Sequence, residues 1–192
     1  MYIRNEKRFN IYASAMIDGV FYANFLDPEV RASVGITEII DPAPPEGHNP
    51  NTWVREEIDD APYVIWRPMS EGELSIMREK LWEQIKAIRD HKTQEGGFPA
   101  SGKWFHSDSF SRTQHLGMVI AGQQLPAIPW KTMDGTYITT TPQLAQEVFF
   151  SAMTQDSSLF AHGDALKAQV DAAEDPLSID LNAGWPTTFN NI

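Results

Sequence analysis

Apolar residues recur at spacings of three and four from Leu74 through Met77, Leu81 and Ile85 to Ile88, while Glu73, Arg78, Glu83 and Asp90 fall on the opposite face. That period predicts an amphipathic helix. Ser70 and Glu73 make a capping box at its start, Met69 is placed to staple onto Leu74, and Gly96-Gly97 ends it where left-handed backbone is easily reached. The stripe has two readings. Leu74, Met77, Leu81, Ile85 and Ile88 form either an oligomer seam of coiled-coil type or a face that covers the chain's own sheet.

Downstream, the pattern alternates between short strands and helices. Lys103-Trp104-Phe105-His106 reads as a strand, and Asp108 or Ser109 caps a helix expected to carry Leu116, Val119 and Ile120 inward as far as Gly122. Trp130-Lys131-Thr132 and Tyr137-Ile138-Thr139 flank Asp134-Gly135, a hairpin signal. Thr141-Pro142, an N-cap followed by proline, starts a last helix with Ala145, Val148, Ala152 and Leu159 on its buried side and Phe149 and Phe160 beside them. The order over 70–173 is α-β-α-β-β-α, a short antiparallel sheet with long helices packed on it. Residues 174–192 have no period and read as an extended tail, in which Trp185 docks into a groove of its own chain or of a neighbour.

Upstream, the period is that of strands. Phe9 to Ile17 and Val20 to Phe25 flank Asp18-Gly19, another hairpin signal. Asp27-Pro28-Glu29 starts a short helix that Gly35 ends, and Ile36 to Ile40 returns as a strand. Residues 1–40 are thus expected to form a small β-rich ββαβ module, too small to be stable alone. Asp41 to Pro50 contains four prolines and reads as a stiff spacer; within 41–69 it is followed by short strands around Thr52–Arg55 and Tyr63–Trp66. The fold class expected for the whole chain is α+β: β-rich module, Pro-rich linker, α-β-α-β-β-α module and tail.

Composition narrows the function classes. The chain has 192 residues, no cysteine, 15 Lys and Arg against 26 Asp and Glu, and a net charge of −11. Disulfides, thiolate chemistry and Cys-containing zinc sites are excluded. Nucleic acid is not an expected partner, because counterion release from phosphates needs a basic face. No apolar run reaches membrane-span length and the polar start carries no signal-peptide core, so the expectation is synthesis in the cytoplasm with no membrane insertion.

Candidate chemistry is sparse. His106-Ser107-Asp108 with His115 is the nearest approach to a site. Three consecutive residues cannot adopt triad geometry, and a metal reading of His106, Asp108 and His115 needs the strand end to close onto the helix. The structural alternative has Asp108 as a cap, His115 on the helix flank and His106 bonded locally. The acidic run Glu56-Glu57-Ile58-Asp59-Asp60 lacks cation-loop spacing and reads as a solvated turn, although paired carboxylates are also what glycosidic cleavage requires. No phosphate loop, HExxH run or dinucleotide fingerprint occurs, so no catalytic residue, metal or cofactor is expected. Six tryptophans tilt the balance toward binding, with Trp104, Phe105, Trp130, Tyr137 and Trp185 as candidate partner contacts.

Several of these segments carry a resemblance. Ile85-Lys86-Ala87-Ile88-Arg89-Asp90, then Gly102-Lys103-Trp104-Phe105-His106-Ser107-Asp108 with Ser111-Arg112, then Trp130 to Gly135, Thr141-Pro142 and the closing Gly184-Trp185-Pro186 resemble a domain family of unassigned function found in phage and prophage tail proteins, matched over about Leu81–Phe160. The resemblance implies a tail structural protein, a baseplate or tail-fibre-associated subunit involved in host attachment. It implies other tail proteins as partners and residence in the virion after assembly in the host cytoplasm; a homo-oligomer is expected, with threefold symmetry if the protein sits on a fibre. A tail-fibre assembly chaperone is the alternative. A tail-tip glycan or cell-wall hydrolase is the competing enzymatic one.

Overall fold

The computed structural model describes residues Met1–Asn191 and has an α+β fold. It divides into two compact units, Met1–Leu74 and the chain from Ser75 onward. The Pro-rich segment does not mark the division. It lies inside the first unit, held there by Arg55 and Trp66.

The first unit is built from short ribbons around one small core. Strands β1 (Tyr2–Arg4) and β2 (Lys7–Arg8) form a hairpin, and β3 (Ala15–Ile17) and β4 (Val20–Tyr22) form another. The second turn has φ of 49° at Asp18 and 83° at Gly19, as Asp-Gly predicts. Helix α1 (Pro28–Ser33) starts where Asp27 accepts a hydrogen bond from the Glu29 N–H. Strand β5 (Thr37–Glu38) returns antiparallel to β1, giving a sheet of order β2-β1-β5. The β1–β2 hairpin was not anticipated, and the strand expected over Phe9–Ile17 is confined to its last three residues. Phe9 and Ile11 instead pack against a core of Ile17, Phe25 and Ile36. Arg31 is buried there and donates to the carbonyls of Phe25 and Leu26 with its guanidinium over the Tyr2 ring.

A five-residue ribbon, β6 (Trp53–Glu57) with β7 (Val64–Pro68), completes this unit. The Pro-rich arm is fastened across it. Arg55 grips the Asp41 carboxylate at 2.5 and 2.9 Å, and the Trp66 indole N–H donates to the Pro42 carbonyl at 2.9 Å. A spacer needs free ends, and this segment has its start clamped.

Helix α2 (Glu71–Glu95), part of the second unit from Ser75 onward, stops just ahead of Gly96-Gly97, as its pattern predicts. Its continuation is a hairpin, β8 (Phe98–Ala100) and β9 (Lys103–Phe105). Strand β8 escapes the pattern because Phe98-Pro99-Ala100 has no alternation long enough to count. Then come α3 (Ser109–Ala121), the ribbon β10 (Pro129–Lys131) with β11 (Tyr137–Thr139), and the 31-residue α4 (Pro142–Ala172). The two ribbons do not pair into one sheet. They are joined end to side by the Met133 N–H donating to the Trp104 carbonyl at 2.9 Å.

Helix α4 runs through both cores of this unit. Its first half, with Leu144, Val148 and Ala152, closes on Phe98, Ala100 and Phe105. Its second half, with Leu166 and Val170, closes on Leu81 and Ile85 of α2 and Leu181 of the tail. Met77 and Ile88 pack on the rim of that cluster. From Met77 to Ile88 the α2 stripe therefore faces another helix of its own chain. Ribbons three residues long are too small to cover a 25-residue helix, so the expected sheet contact does not form.

Candidate functional site

The stretch with most chemical potential lies between α2 and α3, and its polar groups hold the backbone in shape. Gly97 has φ of +67°, and its N–H donates to the buried Ser107 hydroxyl at 3.0 Å. Asp108 caps α3, accepting from the Ser111 N–H at 3.0 Å and hydroxyl at 2.6 Å. Those two bonds stabilise the carboxylate and hold its pKa below the ordinary aspartate value.

Arg112 is the hub. Its Nε donates to the Ser107 carbonyl at 2.5 Å, its two Nη groups meet Asp156 of α4 at 2.6 and 2.8 Å, and Nη2 also reaches the Thr93 carbonyl at 3.0 Å. One planar fork thus ties the end of α2, the strand-to-helix loop and α4.

His115 occupies the core one turn further on, 2% exposed. Its ring lies 5.7 Å from Phe98, 5.9 Å from Phe105 and 5.2 Å from Trp130, and neither ring nitrogen has a hydrogen-bond partner. Burial, reinforced by the nearby Arg112 charge, lowers its pKa to about 4. At neutral pH it is an uncharged ring in an aromatic box.

These placements revise the expected inward face of α3. His115 and Met118 are buried, whereas Leu116 and Ile120 are exposed. The Asp108 cap and the Arg112 fork set the rotation of the helix, and tertiary bonds outrank a three-residue apolar pattern. The metal arrangement does not assemble either. Asp108 is turned to its own helix and His115 to the aromatic core, and among the described residues no group of three or more His, Asp or Glu is disposed around a common point.

The candidate partner contacts separate in the same way. Phe105 is fully buried in the first core and has no surface to offer, which corrects its assignment. Trp130 packs on that core, and Trp104 faces Phe189 at 6.2 Å. Trp185 docks on its own chain: it joins the second core, stacks edge-on against His162 at 4.7 Å, and donates to the Leu181 carbonyl at 2.8 Å. Tyr137, 63% exposed, remains on the surface.

The outer face of α4 lies outside the expected contacts. Phe150, Met153 and Phe160 are all exposed there. With Ser157 they recur at intervals of three and four, a second stripe alongside the buried one. Phe150 also lines a shallow groove with Pro99, Glu147, Ser151, Thr154 and Gln155. The signal was present in the sequence, but two interleaved stripes on one helix read as a single broad core face.

The second unit defines an α+β domain in which α4 closes one apolar cluster with the β8–β9 ribbon and a second with α2 and the tail, and the polar residues from Ser107 to Arg112 serve as scaffolding. A family model described as "Domain of unknown function (DUF4376)" matches residues 77–183, and the chain belongs to that family. No curated protein and no solved structure matches the chain.

Proposed function

We propose that this protein is a structural subunit of a bacteriophage tail, placed at the baseplate or with the tail fibres, and that it works by gripping other tail proteins rather than by catalysis. One observation supports this reading above the others. The polar residues from Ser107 to Arg112 are committed to folding, in caps, backbone clamps and the Arg112 fork, while large apolar side chains stand exposed on α4. Exposed Phe150, Met153 and Phe160 on one helix face suit a contact with another subunit better than contact with water. The phage assignment itself rests on the resemblance of the Gly102–Asp108 and Trp130–Gly135 segments to tail proteins.

Mass spectrometry of purified particles tests it. A subunit is recovered from intact tails at a fixed ratio to the baseplate or fibre proteins. Abundance in infected lysate with absence from finished particles assigns the assembly-chaperone role instead, and cleavage of surface glycan or peptidoglycan by the purified protein overturns the non-enzymatic reading.

A further inference from the structure

We infer that the first unit carries a docking groove for an extended protein segment in which an apolar side chain is flanked by lysine or arginine. This inference stands on the first unit alone and is independent of the role proposed above.

The groove, about 370 Å³, lies between the Pro-rich arm and the β6–β7 ribbon. Ile40, Pro42, Ala43 and Pro45 make one wall, and Pro62, Val64, Ile65 and Trp66 the other. The Arg55–Asp41 pair and the Trp66–Pro42 bond tie the arm to the ribbon at a fixed spacing, so the shape is set before anything binds. Val64 on the groove is fully buried, whereas Ile40 at its mouth is 85% exposed. Such a volume accepts one large apolar side chain or two small ones.

Charge selects the occupant. The first 74 residues hold six Lys and Arg against thirteen Asp and Glu. The two arginines of the β6–β7 ribbon are neutralised, Arg55 by Asp41 and Glu57, and Arg67 by Glu56 and Glu73. Glu38 and Glu46 adjoin one wall in the chain and Asp59 and Asp60 the other; all four are exposed and make no ion pair. An apolar slot in a unit with this acidic excess is complementary to an apolar anchor between cations. A second copy brings the same negative excess to the contact, which argues against self-association through this face.

The test uses the full chain and a synthetic nine-residue peptide with a central Leu-Leu pair and two lysines on each side, carrying a terminal fluorophore. Anisotropy is expected to show saturable binding at micromolar peptide that weakens as salt rises. The Trp66 indole N–H resonance, identified by its loss in Trp66→Phe, is expected to shift on titration. Ile40→Glu and the pair Asp59→Lys, Asp60→Lys alter exposed residues and leave the circular dichroism unchanged; each is expected to weaken binding at least tenfold. A peptide with glutamates for lysines is expected not to bind. Equal binding to the variants, an unmoved Trp66 resonance, or no binding at all overturns the inference. So does concentration-dependent dimerisation that Ile40→Glu abolishes, since that assigns the groove to a second copy.

Discussion

The Arg112 guanidinium and the Asp156 carboxylate meet in a two-point fork, 2.6 and 2.8 Å across the gap between α3 and α4. Around it the same arginine closes two backbone carbonyls, those of Ser107 and Thr93. Three elements far apart in sequence depend on one side chain. Arg112→Ala is expected to destabilise the protein by about 2–3 kcal/mol, measured by urea unfolding, because charged hydrogen bonds to partly buried groups are lost together. Arg112→Lys is expected to recover less than half of that, since an ammonium cannot reproduce the fork. An unchanged midpoint for the alanine variant removes the hub.

His115 makes stability depend on acid. Its folded pKa, about 4, lies below the ordinary histidine value of 6.5. The unfolded chain therefore takes up a proton first as pH falls. The contribution of the neutral ring is complete above pH 6.5 and is lost progressively down to about pH 4. Its size is about 3 kcal/mol at most. His115→Phe keeps an aromatic ring in the box and is expected to flatten the stability profile over that window. A profile equally steep in the variant assigns the acid sensitivity elsewhere.

Gly97 and Gly102 separate crowding from backbone conformation. Both have positive φ, +67° and +72°. A methyl at Gly97 meets Met133 Sδ at 2.2 Å and the Phe105 carbonyl oxygen at 2.9 Å, whereas one at Gly102 meets nothing within 4 Å. Gly102→Ala is expected to cost about 1 kcal/mol, from conformation alone. Gly97→Ala is expected to cost at least 2 kcal/mol more, because a backbone oxygen cannot swing aside. Paired thermal melts check the difference, and equal losses sink the packing argument.

Trp185 fastens the tail to the second core. Trp185→Ala is expected to cost about 3 kcal/mol and to make the segment after Ala173 the first site of cleavage in limited proteolysis. If the tail stays as resistant as in the parent protein, its docking depends on other contacts.

The outer face of α4 separates folding from assembly. Phe150→Ser and Met153→Ser change exposed positions, so stability is expected to move by no more than about 0.5 kcal/mol. Under the proposed role, recovery of the double variant in purified particles is expected to fall at least tenfold. Normal recovery directs attention away from this face.

Much of the local structure was legible. Asp18-Gly19 and Asp134-Gly135 make their turns, Asp108 and Thr141 cap their helices, and Gly96-Gly97 ends α2. Each depends on a residue acting on backbone within four positions, where covalent geometry and hydrogen-bond reach leave few choices. The candidate site was legible only as a set of residues. Asp108 follows its capping rule, but nothing near His115 in the chain tells that Phe98 and Trp130 will enclose it.

Sequence by itself determined the α+β class, the helix limits and the hairpin turns, because these arise from neighbours along the chain. Tertiary structure decided which stripe of α4 is buried, that α2 packs on α4 rather than on a sheet, that Arg112 joins three elements, and that the Pro-rich arm is clamped to its own unit by Arg55 and Trp66. Those outcomes depend on contacts between residues dozens of positions apart. Local pattern is silent there, since the free energy that selects among packings is released only when distant apolar faces and charges meet.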